Sequence, residues 1–116
     1  GRAESCRWLS MPVSRVVTVD EWAKVHENGR DAIVSYTAGW CEPSRRTADE
    51  FIRLSSSLSN LSFITVDVEE AEDVSQACGI SSMPAFHIYK EGVFIEGFVG
   101  SSTHQLRALA DRYNAT

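Results

Sequence analysis

Residues 32–38 read Ala-Ile-Val-Ser-Tyr-Thr-Ala, a nearly continuous apolar run inside a chain of 116 residues. A strand with one wet face alternates apolar and polar side chains, whereas a continuous run belongs to a strand covered on both faces. This segment therefore requires a layer of structure above and below it. Such layers are helices in a chain whose other segments switch between helical and strand periodicity.

The flanking segments supply those layers. Arg15 to Val19 is a short β-branched run, read as a first strand. Thr18 and Glu21 stand at capping-box spacing before Trp22, Ala23, Val25 and His26, one or two turns of helix that Asn28-Gly29 ends. From about Pro43 to Leu58, the residues Ala48, Phe51, Ile52, Ser55 and Leu58 recur at helical spacing. Leu61 to Val68 is a third strand, and Glu69 to Ala77 a short acidic helix. Ala85 to Tyr89 and Val93 to Val99 are strands joined by Lys90-Glu91-Gly92, a tight turn with a glycine available for positive φ. Leu106, Leu109, Ala110 and Tyr113 form one face of a closing helix. The order βαβαβαββα gives an α/β fold, a mixed five-stranded sheet flanked by four helices.

The stretch with chemistry is Trp40-Cys41-Glu42-Pro43-Ser44, between the doubly covered strand and the second helix. A cysteine at a helix start meets unpaired backbone N–H groups and a partial positive charge. That field favours the thiolate, which is the nucleophile, and predicts a pKa below the free value of about 8.5. Pro43 suits a first helical turn, where its missing N–H is not needed. Trp40 can cover one side of the sulfur with apolar surface. Glu42 opposes the thiolate, and Arg45 and Arg46 in the next turn offset it within the limits of solvent screening.

These residues resemble the Trp-Cys-Gly-Pro-Cys motif of the thioredoxin family, with Glu42 in place of the glycine and Ser44 in place of the second cysteine. Ile64 to Val68 resembles the family's third strand, and Cys78 to Phe86 its approach to a cis-proline at Met83-Pro84. Tyr89-Lys90-Glu91-Gly92 resembles its hairpin turn, and Phe98-Val99-Gly100 the glycine before its last helix. The likeness runs from about Val16 to Tyr113 and implies the thioredoxin fold, with the second strand central and the last two an antiparallel pair. It implies Cys41 as the nucleophile, and Trp40, Glu42, Pro43, Met83, Pro84 and Gly100 around a shallow groove for an extended substrate.

Ser44 departs from the pattern in the way that matters most. The family's second cysteine resolves the mixed disulfide, and a serine hydroxyl can only donate a hydrogen bond to the Cys41 thiolate. Cys41 can begin exchange, but another thiol must release the partner. Three readings follow: a natural monothiol exchange protein, a dithiol protein converted to a trap by a Cys-to-Ser change, or a redox-silent binding module. Ser35, six residues before Cys41, stands where the family carries a buried aspartate that serves the resolving cysteine. The alternative is that Ser35 merely fills the core.

The partners implied are protein disulfides, with glutathione or a reductase as the other thiol source. No cofactor or metal is expected: the three cysteines Cys6, Cys41 and Cys78 lack zinc-site spacing. A net charge of -5 argues against nucleic acid, and no apolar run approaches the ~18 residues of a membrane span. An odd cysteine count fits a reducing compartment, so a cytoplasmic location is expected; a monomer is expected as well. Residues 1–10 read as a tail, a tag remnant or a leader, and residues 11–116 as the domain. Were the tail the remainder of a transit peptide, the location would be mitochondrial, although Glu4 counts against that. Cys6 is read as an incidental thiol, Cys78 as an apolar filler, and His87 as a satisfied or solvent-facing histidine.

Overall fold

The computed structural model describes residues 13–27, 29–38, 42–58 and 60–114, with the backbone alone for residues 42–44. Strands β1 (Val13–Val16), β2 (Asp31–Thr37), β3 (Ser62–Asp67), β4 (Ala85–Lys90) and β5 (Val93–Val99) make one sheet. Helices α1 (Val19–Val25), α2 (Glu42–Ser57), α3 (Glu72–Ala77) and α4 (Thr103–Asn114) connect and close it. The strand order is β1-β3-β2-β4-β5. β1 and β2 run parallel to β3, and β4 runs antiparallel to both β2 and β5. This is the thioredoxin fold, with the apolar run of residues 32–38 in its central strand.

Both faces of β2 are covered because alternate side chains enter different cores. Ile33 packs with Phe63, Phe86 and Ile88 against Phe51 and Leu54 of α2 and Leu106 and Leu109 of α4. Ala32, Val34 and Tyr36 pack on the other face with Ile64, Val66 and Tyr89, closed by Trp22 of α1 and Val74 of α3. Fully burying one large apolar side chain contributes about 1.5–3 kcal/mol, so the strand is held by the two layers rather than by its own propensity.

Several boundaries differ from those expected, each for a local reason. β1 ends at Val16 and not Val19, because Thr18 caps α1. The Thr18 hydroxyl accepts from the Glu21 amide (3.1 Å), and the Glu21 carboxylate accepts from the Val17 and Thr18 amides (3.0 Å each). α3 begins at Glu72 rather than Glu69, since the Asp67 carboxylate accepts from the Glu69 and Glu70 amides and holds them in a turn. The buried face of α2 is rotated from the expected one. Thr47, Glu50, Phe51, Leu54 and Ser55 are buried, whereas Ala48 is exposed and Ile52 is 42% exposed.

The β4–β5 hairpin closes through Glu91 (φ 52) and Gly92 (φ 82), the two left-handed positions of a two-residue turn between the paired Lys90 and Val93. Ile88 pairs with Glu96 while Tyr89 pairs with Phe94, so Ile95 is an extra residue and β5 bulges there. Beyond the bulge, Gly97 is required by close approach. A Cβ there would lie 2.4 Å from the Phe86 carbonyl oxygen and 2.7 Å from Cδ2 of His87.

Candidate active site

The candidate site lies at the carboxyl end of β2, the end at which open α/β sheets bind ligands. β2 finishes at Thr37 and α2 starts at Glu42, the residue after Cys41 in the sequence. Trp40 and Cys41 lie outside the described residues. Glu42, Pro43 and Ser44 are the first three residues of α2, so Pro43 stands in the first turn, where a proline is tolerated. Arg45 and Arg46 follow with exposed side chains, and Thr47 is buried.

The sheet brings three more of the expected residues to this end. Tyr36 near the end of β2 pairs with Ala85 at the start of β4, so Met83 and Pro84 enter the sheet beside the carboxyl end of β2. The Met83–Pro84 peptide bond is cis. Pro84 is buried and Met83 half-buried. Ala85 pairs in turn with Val99, and the amide of Gly100 donates to the Pro84 carbonyl at 2.9 Å. Gly100 has φ 143, in the region that favours glycine. β3 ends at the same level, where the Val68 amide donates to the Thr37 carbonyl at 2.9 Å.

Ser35 is 7% exposed and stands in register between Thr65 of β3 and Phe86 of β4. By strand alternation it lies on the face of β2 that carries Ile33, towards α2 and α4. α2 is fixed to α4 by Glu50, which is 8% exposed and forms ion pairs with Arg53 and with Arg107 (3.5 Å to the latter). Phe51 and Leu54 of α2 share one apolar cluster with Leu106 and Leu109 of α4, which packs the same two helices together.

A polar line on the opposite face of the sheet escaped the sequence reading. The Tyr36 and Tyr89 hydroxyls lie 2.7 Å apart, and Nδ1 of His87 lies 2.9 Å from the Tyr89 hydroxyl. Cys78 is half-buried and packs against the same core, as an apolar filler would. Burial pushes both tyrosine hydroxyls well above their ordinary pKa and keeps them protonated. Burial lowers the pKa of His87 and favours its neutral ring, whose tautomer sets which of His87 Nδ1 and the Tyr89 hydroxyl donates. Only the strand register shows that Tyr36 and Tyr89 share a face.

Among the described residues, no group of three or more His, Cys, Asp or Glu side chains could hold a metal, and no helix is long and apolar enough to cross a membrane. The comparison with known proteins agrees with the topology. A family model described as Thioredoxin matches residues 13–112. The chain is 38% identical over 94 residues to a Thioredoxin H-type of Chlamydomonas reinhardtii, covering 80% of this chain and 83% of that one. The solved thioredoxin of Plasmodium falciparum superposes with a TM-score of 0.83 at 30% identity, covering 86% of this chain and 98% of that one. A solved Cys-to-Ser mutant of the Entamoeba histolytica thioredoxin superposes with a TM-score of 0.80 at 26% identity, covering 86% and 98%. The chain, with its central β2, its Met83–Pro84 turn and its helix starting after Cys41, belongs to the thioredoxin family, whose members are thiol-disulfide oxidoreductases.

Proposed function

We propose that this protein is a monothiol member of its family, exchanging disulfides through Cys41 alone. The observation that carries the reading is the sequence Trp40-Cys41-Glu42-Pro43-Ser44 at the strand-to-helix junction, with serine at the position of the resolving cysteine. The Cys41 thiolate attacks one sulfur of a substrate disulfide. That S–S bond breaks, the other sulfur leaves as a thiolate, and a mixed disulfide forms on Cys41. A second thiol, glutathione or a protein thiol, then attacks the mixed disulfide and is itself left in a disulfide as Cys41 is freed. Ser44 donates a hydrogen bond to the Cys41 thiolate. Trp40, Glu42, Pro43, Met83, Pro84 and Gly100 border the groove in which an extended segment of the substrate lies, with Met83 offering backbone groups to it.

Ser35 in a core position supports a natural variant over a dithiol protein altered at one residue. An aspartate that serves a resolving cysteine has no task where none exists, and two departures together are not explained by one substitution. The Entamoeba relative solved as a Cys-to-Ser mutant keeps the altered-protein reading in view, and the natural codon for residue 44 decides between them. A reducing compartment such as the cytoplasm would keep Cys6, Cys41 and Cys78 as thiols.

The test is the mass of the intact protein after exposure to glutathione disulfide. One glutathione should add at Cys41, leave rapidly when reduced glutathione is supplied, and fail to add to Cys41→Ser. Unreactive Cys41 with tight binding of a partner protein would favour the redox-silent module instead.

A further inference from the structure

No residue from Val19 to Val25, the whole of α1, is buried. Trp22 and Val25 are half-buried against the apolar cluster that includes Val34, Tyr36 and Val66. Among the described residues from Val17 to Glu27, the one buried side chain is His26, which caps the helix and is 8% exposed. Its ring packs edge-to-face on Trp22 at 4.5 Å and lies 5.6 Å from the Tyr89 ring. Neither ring nitrogen has a hydrogen-bond partner among the described residues. A neutral imidazole placed so forgoes the hydrogen bonds of water, and an imidazolium there would forgo far more.

Nothing around the ring would offset a charge. Trp22 on its own helix and Tyr89 of β4 are uncharged, and the Tyr89 hydroxyl is engaged by Tyr36 and His87. His87 is itself held towards its neutral form by burial. Cys78, which follows α3, packs in the same cluster. Lys24 and Glu27, on the chain either side of His26, are exposed. Burial alone lowers the His26 pKa, and neither Glu72 and Asp73 of α3 nor Lys90 and Glu91 of the hairpin act on it. The neutral ring can stay among its apolar neighbours, whereas the charged ring is solvated only in water.

The cap of α1 does not respond to mild acid in the same way. It depends on the Glu21 carboxylate, whose pKa is lowered by hydrogen bonds from the Val17 and Thr18 amides. The cap is therefore still charged at about pH 5. What acid removes is the attachment of α1 to the sheet. A helix of seven residues does not hold in water without tertiary packing, so detachment also breaks its backbone hydrogen bonds.

We propose that α1 is an acid-released clasp. Protonation of His26 drives the ring into water, α1 leaves the sheet and unwinds, and the seats of Trp22 and Val25 on the apolar cluster open. At neutral pH the clasp is shut. The device is independent of disulfide exchange at Cys41. Its direction follows from linkage: the released segment binds the proton at an ordinary histidine pKa and the seated one at a lower value, so release grows as the pH falls below about 6.5.

Amide hydrogen exchange of the full chain, read residue by residue by NMR at about pH 7 and pH 5 and corrected for the intrinsic effect of pH, tests this. The amides of Ala23, Lys24 and Val25 report on α1, and those of Ile33 to Tyr36 in β2 report on the whole fold. The α1 amides should be less protected than those of β2 at both pH values. Their protection should fall by about 10- to 25-fold from pH 7 to pH 5, the factor by which a proton bound at an ordinary pKa of about 6.5 favours the released form. His26→Phe and the smaller His26→Leu should each reduce that fall to less than about twofold, while His87→Gln keeps it. Amides of α1 as protected as those of β2 at pH 5, a full fall in both His26 variants, or a fall abolished by His87→Gln would overturn the proposal.

Discussion

The Gly100 amide donates a 2.9 Å hydrogen bond to the Pro84 carbonyl, which ties the end of β5 to the turn that enters β4 beside the candidate site. Gly100 holds φ at 143 to make that bond, and a Cβ there would meet no atom within 4 Å. The position therefore resists substitution through backbone conformation and not through crowding. Gly100→Ala should lose about 1–3 kcal/mol, read as a lower urea midpoint at unchanged slope. A variant as stable as the parent would show that the backbone there is unconstrained.

Tyr36, Tyr89 and His87 should behave as one unit. Removing the Tyr36 hydroxyl leaves a buried partner short of a hydrogen bond, and Tyr36→Phe should cost about 1–2 kcal/mol. Tyr36→Phe combined with Tyr89→Phe should cost less than the two singles added together, by about 0.5 kcal/mol or more. Denaturant curves for the four proteins of the cycle check this. Strict additivity would mean that the 2.7 Å approach of the hydroxyls contributes nothing.

The layers of this fold were legible because burial leaves periodic traces. Residues 32–38 announced a doubly covered strand, and Leu106, Leu109 and Ala110 the inner face of α4. The face of α2 was misread in part because its buried set includes Thr47 and Glu50. Those are polar side chains that a hydrophobic period passes over, and Glu50 is buried only because Arg53 and Arg107 from two helices reach it. The β1 boundary was misread because β-branched Val17, Thr18 and Val19 look like strand, while the reciprocal Thr18–Glu21 cap decides for helix. At the candidate site, the sequence supplied the chemistry and the sheet supplied the meeting of Met83, Pro84 and Gly100 at the end of β2. The tyrosine line depends on cross-strand register, which leaves no mark in local sequence.

Acid should weaken this protein through two histidines. His26 is 8% exposed, neither ring nitrogen has a hydrogen-bond partner among the described residues, and burial lowers its pKa. Burial lowers the pKa of His87 as well. With folded values below the ordinary 6.5, the unfolded chain binds these protons first as the pH falls. Stability is then complete above about pH 6.5 and declines below it, until the folded pKa values are passed. His26→Phe removes one of the two groups and a buried unpaired polar ring. Its urea midpoint should exceed the parent's at about pH 8, and the gap should widen towards about pH 5. A constant gap across that range would contradict the assignment.

Disulfide turnover with and without a second thiol tests the central claim most directly. Insulin reduction driven by dithiothreitol should be slow for the parent chain, with mixed disulfides on Cys41 persisting. Cys41 and Ser44 are three residues apart at the start of α2, and a thiol at position 44 would attack the mixed disulfide at high effective concentration. Ser44→Cys should therefore raise the rate of insulin reduction and shorten the life of the mixed disulfide. Ser35→Asp should add to the gain, and Cys41→Ser should abolish activity in every background. A parent chain that already reduces insulin as fast as Ser44→Cys would contradict a monothiol mechanism at Cys41.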